Sequence, residues 1–142
     1  MTRLFTSLFV SVTLLSASGT FMAQASDVVA DRKSNFKNSA GIMRGMRGHI
    51  GSSDFAAIET GALSIAAWAE QMTDYFPEGS MSTGAKPAIW DEFERFSLLA
   101  SEHHKAALAL AAAAESEDIS AVTTAVQALG GTCQTCHSSY KN

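Results

Sequence analysis

Residues 87–110 read PAIWDEFERFSLLASEHHKAALAL, and the apolar positions of this stretch recur at helical spacing. Alternating steps of four and three residues place these positions on one side of an α-helix, as is typical of a helix packed inside a bundle. Pro87 suits the first turn of such a helix, where its missing N–H has no intrahelical partner. The predicted inward seam consists of Ile89, Phe93, Phe96, Ala100, His103, Ala107 and Leu110.

Two further helices are predicted upstream of this segment. The first runs from about Asp27, which is placed to cap its start, to Ile50. Residues 51–54, GSSD, then break the chain and offer capping oxygens to a second helix, which Pro77 ends near Phe76. Residues 77–87 combine Pro, Gly and Ser and form the longest predicted loop.

A fourth helix is predicted downstream. The polar turn at residues 115–118 separates it from the third, and it runs from about Asp118 to Tyr140. Proline occurs only at positions 77 and 87, and no β-branched run follows residue 25. We therefore predict an all-α fold, an antiparallel up-down-up-down four-helix bundle. The inward positions of its last helix are Ile119, Val122, Val126 and Leu129.

The last helix carries Cys133-Gln134-Thr135-Cys136-His137, a C-x-x-C-H sequence. This pattern attaches c-type haem: each thiol adds to one vinyl group of the porphyrin, and the histidine that follows becomes an axial ligand of the iron. We predict one covalently bound haem c, held by Cys133 and Cys136, with His137 coordinating its iron at the C-terminal end of the bundle.

Other chemistries of the two cysteines are less consistent with the sequence. A thioredoxin-like redox pair follows a strand, and no strand pattern precedes Cys133. A zinc site needs about four ligands, and the remaining candidate donors are His49, His103 and His104. A disulfide across two intervening residues closes too small a loop to stabilise the fold much. A haem-free thiol protein, colourless and reactive towards thiol reagents, is the remaining alternative.

Residues 1–25 are predicted to be a cleaved export signal, which leaves residues 26–142 as a single haem-binding domain. Arg3 precedes an apolar stretch, and Ala23-Gln24-Ala25 matches a cleavage site. The stretch is short for a membrane span, although an uncleaved anchor is the alternative. Export predicts a periplasmic location, with no membrane contact after cleavage. A formal net charge of −4 and the lack of a basic tract argue against a nucleic-acid partner.

Three segments carry a resemblance to a known family. They are residues 129–141, LGGTCQTCHSSYK, the Ala88-Ile89-Trp90 start of the third helix, and residues 32–37, RKSNFK. A haem motif on the last helix of a bundle, rather than near the N-terminus, is unusual among c-type cytochromes. The sequence resembles the cytochrome c′ family over essentially all of residues 26–142.

The resemblance implies roles for three further residues. Arg32 would lie near a haem propionate, and Phe36, one helical turn later, would face the distal side of the iron. Lys141 would lie near the proximal imidazole, where the family usually has arginine. Lysine keeps the charge but lacks the planar guanidinium, so a stacking role does not carry over.

Phe36 also implies a function. Low-spin members of the family have methionine at this position, and phenylalanine cannot ligate iron. The resemblance therefore implies a five-coordinate, high-spin haem that binds nitric oxide and carbon monoxide and can exchange electrons. No acid–base pair is evident in the sequence, so we expect no enzyme activity. The alternative is a low-spin, six-coordinate electron carrier for periplasmic redox partners, with Met43 or His103 as the sixth ligand.

Family members commonly pair through their first two helices, so the resemblance also implies a homodimer. The apolar candidates for this contact are Ile42, Met43, Ile58 and Leu63.

Overall fold

Helices dominate the computed structural model, which describes residues 18–142 and the side chains of residues 27–142. The helices are α1 (Ser18–Ser52), α2 (Phe55–Gln71), α3 (Ala88–Asp91), α4 (Phe93–Glu115) and α5 (Ile119–Tyr140), and a 3₁₀ turn, Met72–Tyr75, extends α2. The described residues contain no strand. The predicted all-α bundle is confirmed, with α3 and α4 together forming its third helix.

The helices pack in a closed ring. The α2 helix lies against α4, α4 against α5, and α1 against both α2 and α5. Sequential helices are antiparallel neighbours, joined by short turns at residues 53–54 and 116–118 and by the longer loop at residues 77–87, which gives the up-down-up-down topology. Gly61 lets α1 and α2 approach closely, because a Cβ atom at this position would lie 2.8 Å from Ile42 Cγ2.

Aspartate caps start two of the helices, and the one at residues 51–54 was predicted. The Asp54 carboxylate accepts a hydrogen bond from the backbone N–H of Ala57 at the start of α2. Asp118 accepts hydrogen bonds from Ser120 and Ala121 at the start of α5. Each carboxylate satisfies N–H groups that have no partner within the helix.

The predicted start of α1 is wrong. The helix begins at Ser18, so Asp27 lies within it and does not cap its start. The reason is that residues 18–26 continue the same helix upstream. The predicted export signal falls mainly on residues 1–17, which lie outside the described residues, and it stays a prediction.

Two predicted inward positions face solvent. Phe93 is 39% exposed because Glu92 leaves helical geometry, with φ −122° and ψ 40°, and the break between α3 and α4 shifts the seam. Ile119 is 42% exposed in the first turn of α5. The other seam positions of α3 and α4 are buried, as are Val122 and Leu129, and Val126 is partly buried.

The core has two parts with different chemistry. The aliphatic half is built around Met46, Ile58, Ala62, Ile65, Ala107, Leu110, Val122 and Leu129. The aromatic half is built around Trp68, Met72, Phe76, Ile89, Phe96, Ala100 and Tyr140. In the aromatic half, rings meet edge to face, with centroids 4.7 Å apart for Phe76 and Phe96 and 5.5 Å apart for Phe96 and Tyr140.

Between residues 18 and 142, no helix combines the length and apolar character needed to cross a bilayer.

Candidate haem site

A cavity of about 640 Å³ opens beside the aromatic half of the core. Its walls come from α1, the end of α2, the loop at residues 77–87, α3, α4 and α5. The structure brings together here all six residues predicted for the site: Arg32, Phe36, Cys133, Cys136, His137 and Lys141. A concave, mostly apolar site of this size is typical of cofactor pockets.

The two cysteines lie in the cavity wall. They lie three residues apart on α5, so one helical turn places both on the side that faces the cavity. Burial raises the pKa of the Cys133 thiol and of the Cys136 thiol, and both therefore carry their proton at neutral pH. Each S–H group is available to add across one vinyl double bond, which is the chemistry of haem attachment.

His137 presents a neutral imidazole to the same cavity. Its pKa is lowered by burial and then by the positive charge of Lys141, one turn further along the chain. The neutral ring keeps a lone pair on one nitrogen, which is the form that binds a metal. Two thiols, one imidazole and an apolar wall together fit a covalently attached haem.

Phe36 contributes a hydrocarbon wall on the α1 side. Its ring meets Trp68 edge to face at 5.3 Å between centroids and lies 6.4 Å from Phe76. These two contacts hold the phenyl ring at the cavity without placing any ligating atom there.

Arg32 lines the cavity and also holds the loop that closes it. The side chain is 2% exposed, and its guanidinium lies 4.4 Å above the Phe76 ring. The terminal nitrogens donate hydrogen bonds to the carbonyl oxygens of Tyr75 and Ser80 and to the hydroxyls of Ser80 and Ser82. The loop role of Arg32 was not predicted, because no sequence pattern identifies Ser80 as buried.

The C-terminus holds the other side of the same loop. Lys86 donates its backbone N–H to the Tyr140 carbonyl at 3.0 Å and its Nζ to the Ser138 carbonyl at 3.1 Å. The Asn142 side chain donates to the Thr83 carbonyl at 3.1 Å. The loop is therefore fixed between α1 and the end of α5, and Ser82, Gly84 and Ala85 become part of the cavity wall.

A hydrogen-bond chain sets the proton position on His103, which also lines the cavity. The Thr132 hydroxyl donates to the Leu129 carbonyl at 2.7 Å, so it must accept from His103 Nδ1, also at 2.7 Å. Burial lowers the pKa of His103, and the nearby His137 lowers it further. His103 is therefore a neutral ring with its lone pair on Nε2.

Met43 packs against the aliphatic half of the core. It also lines the cavity, so its thioether lies at the site as well. Among the described residues, no group of three or more His, Cys, Asp and Glu side chains is placed to hold a metal ion directly.

A helical bundle that presents two thiols and an imidazole to a large apolar cavity defines a c-type cytochrome. The sequence model of the cytochrome c′ family matches residues 27–141. The chain belongs to the cytochrome c′ family, whose members bind haem c, and Cys133 and Cys136 fit covalent attachment of that group.

Curated relatives agree with this assignment. The chain is 45% identical to cytochrome c′ of Rhodospirillum rubrum over 83 residues, which cover 56% of each protein. It is 36% identical over 89 residues to cytochrome c-556 of Agrobacterium fabrum, covering 62% of this chain and 60% of that protein. The chain thus spans less than two thirds of the length of these two relatives.

Solved structures share the fold over a longer part of the chain. Cytochrome c′ from Thermochromatium tepidum superposes with a TM-score of 0.75 at 26% identity, covering 82% of this chain and 95% of that one. A second cytochrome c′, described as having a ligand-controlled dimer dissociation, superposes with a TM-score of 0.77 at 26% identity, with the same two coverages.

Proposed function

We propose that this protein is a gas-binding cytochrome that binds nitric oxide and carbon monoxide at a five-coordinate, high-spin haem and also exchanges electrons. Bound haem supplies an iron site for diatomic ligands and a one-electron redox couple. The observation that carries the proposal is the position of Phe36, which lines the cavity and has no atom able to coordinate iron.

The residues around the cavity support selection of small uncharged ligands. The phenyl ring of Phe36 offers no hydrogen bond, so it gives no help to ligands that need one, such as oxygen or water. Turning this ring away would break its contacts with Trp68 and Phe76. Neutral His137 supplies a single imidazole from α5.

We propose that the protein is not an enzyme. None of the described Asp or Glu side chains lines the cavity, so no carboxylate is placed there as a general acid or base. Binding and release of a diatomic ligand need no such carboxylate, whereas catalysis by a carboxylate acid–base pair does.

Absorption spectra of the purified holoprotein test the gas-binding proposal. The ferric and dithionite-reduced forms are recorded before and after adding carbon monoxide and nitric oxide. We expect a broad high-spin ferrous spectrum that shifts with either gas. A sharp low-spin ferrous spectrum that ignores carbon monoxide would contradict the proposal.

Variants of Phe36 test whether this residue faces the sixth coordination site of the iron. The Phe36→Met variant introduces a thioether at the cavity wall and is expected to become low-spin and to lose its response to carbon monoxide. The Phe36→Leu variant also removes the ring but adds no ligating atom, so it should stay high-spin. If both variants remain high-spin, Phe36 does not face the sixth coordination site.

A second candidate function is a six-coordinate electron carrier. Two observations favour it: Met43 lines the cavity, and so does His103, with a free lone pair on Nε2. If the native spectrum is low-spin, Met43→Leu and His103→Phe are compared. The variant that restores carbon monoxide binding identifies the sixth ligand, and failure of both would exclude these two residues.

The cell compartment is proposed to be the bacterial periplasm, because haem of this kind is attached after export and residues 1–25 match an export signal. Fractionation of cells that express the full chain, followed by N-terminal sequencing of the haem-bearing product, tests both points. We expect a periplasmic product that starts at Ser26.

A homodimer through α1 and α2 is also proposed, supported by the dimer named for one related structure. Ile58 is fully buried and Met43 lines the cavity, so of the four apolar candidates Ile42 and Leu63 remain, the latter 46% exposed. Light scattering of the holoprotein should give twice the chain mass, and Leu63→Glu should reduce it. A monomer at every protein concentration would contradict the dimer.

A further inference from the structure

Positive charge is concentrated at the cavity. The full sequence has ten Lys and Arg residues against fourteen Asp and Glu, with a formal net charge of −4. Half of those basic residues line the cavity, and no described acidic residue does. An acidic protein therefore presents a locally basic surface at its functional site. The five basic residues are Arg32, Lys33, Lys37, Arg44 and Lys141.

Four of these residues are exposed, while Arg32 is buried against the loop. Lys33, Lys37 and Arg44 are separated by four and seven residues, so they share one face of α1 over about 16 Å. Lys141 follows α5 on another wall of the cavity. We call Lys33, Lys37, Arg44 and Lys141 the basic rim.

The charge of the basic rim is not neutralised within the fold. In the described part of the chain, the ion pairs within 4 Å are His49 with Asp54 and Arg95 with Glu92. Haem brings two propionates to the site, whereas the basic rim and Arg32 supply five positive charges. An excess of positive charge therefore remains at the cavity mouth with the cofactor bound.

We propose that the basic rim is a docking surface for the acidic face of a protein redox partner. The proposal rests on the electron exchange proposed above. A reduced partner docked here loses one electron and the cytochrome gains it, with no other group transferred. Complementary charge at such a surface raises the rate of productive encounter and orients the two proteins.

The net charge of the protein and the local charge of the basic rim predict opposite effects of salt on the reduction rate, so the proposal can be tested. With net charge dominant, an acidic partner would be repelled, and added salt would speed its reaction. With the basic rim dominant, the partner would be attracted, and added salt would slow the reaction. The Debye length falls from about 30 Å at 0.01 M to about 8 Å at 0.15 M ionic strength, so these two conditions separate the cases.

The experiment is stopped-flow reduction of the ferric holoprotein by an acidic flavodoxin in its hydroquinone form. We expect the second-order rate constant to fall by about tenfold between the lower and the higher ionic strength, as for steered association. A rate constant that rises with salt would overturn the proposal.

Two double variants that change the net charge equally show whether the basic rim is the source of the attraction. Lys33→Glu with Lys37→Glu reverses two charges of the basic rim on α1, away from Lys141 and its influence on His137. Arg47→Glu with Lys105→Glu reverses two exposed charges that do not line the cavity. We expect the first pair to lower the rate constant at low salt by about tenfold and the second to change it by less than about twofold. Equal losses in both pairs would overturn the proposal.

Carbon monoxide binding separates this proposal from the proposed function. The gas is uncharged, so the spectrum of the dithionite-reduced protein should shift in the native chain and in both double variants. If carbon monoxide shifts the spectrum normally but both double variants lose reduction rate equally, the docking proposal is contradicted and gas binding is not. If carbon monoxide causes no spectral shift but only the Lys33→Glu with Lys37→Glu variant loses reduction rate, docking is supported and gas binding is contradicted.

Discussion

The two halves of the core are packed for different purposes. In the aliphatic half, Ile58, Leu110 and Val122 are completely buried and do not line the haem cavity. In the aromatic half, rings meet edge to face around a cavity of about 640 Å³. The difference indicates that one half of the bundle is complete as a protein core, whereas the other is completed by its cofactor.

Side-chain shape explains the division. Branched aliphatic side chains interdigitate between helices and reach the density of a close-packed interior. In the other half, the aromatic rings meet in the edge contacts that such pairs prefer, and they line part of the cavity wall. We therefore expect stability and function to be separated along the bundle, and four variants, each with its own prediction, test that expectation.

The largest effect is expected from Cys133→Ser combined with Cys136→Ser. Without covalent attachment the apolar cavity fills with water or collapses, and we expect the free energy of unfolding to fall by more than about 4 kcal/mol. Hydrogen exchange should rise mainly at Phe76, Phe96 and the loop, and much less at Leu110. Uniform loss of protection along α4 would contradict the division into two halves.

The Leu110→Ala substitution tests the aliphatic half. The side chain is fully buried, so its removal should lower the free energy of unfolding by about 2–5 kcal/mol in chemical denaturation. The haem absorption spectrum should not change. Leu108→Ala, on the same helix but 42% exposed, is the control and should cost much less. A changed haem spectrum in Leu110→Ala would show that the halves are coupled.

The Arg32→Gln substitution tests how the loop beside the aromatic half is held in place. It removes the charged donors that hold Ser80 and Ser82, and hydrogen bonds to charged groups contribute about 1.5–3 kcal/mol. We expect a loss of about 3 kcal/mol, together with faster proteolysis within residues 77–87. Lys33→Gln, at the exposed neighbouring position, should be neutral. Unchanged loop proteolysis in Arg32→Gln would show that the C-terminal contacts suffice.

The smallest effect is expected at the turn between α1 and α2. Asp54→Ala removes the cap of α2 and should cost about 1 kcal/mol, with an unchanged haem spectrum. Asp54→Asn keeps an acceptor oxygen and should retain most of the stability in thermal denaturation. Equal losses in both variants would mean that the carboxylate charge, rather than the cap, is what stabilises this turn.

The sequence predicted most of the fold because the relevant signals are local. Asp54 caps α2 as expected, and α5 starts directly after Asp118, close to its predicted start. The sequence-based predictions were wrong at one helix end and at one break between helices. Asp27 resembles a cap by composition but lies inside α1, and Phe93 leaves the seam at the break beside Glu92. Helix ends depend on upstream chain and backbone breaks that periodicity does not show.

By itself the sequence determined the helical class and the turns, and it predicted the haem chemistry of Cys133, Cys136 and His137, because these follow from spacing within a few residues. Only the tertiary structure decided that Arg32 and Ser80 are buried together, since they lie 48 residues apart in the chain. The same holds for His103 and Thr132, 29 residues apart, and for the basic rim. Contacts and local charge between distant segments arise from helix packing, which no local pattern encodes.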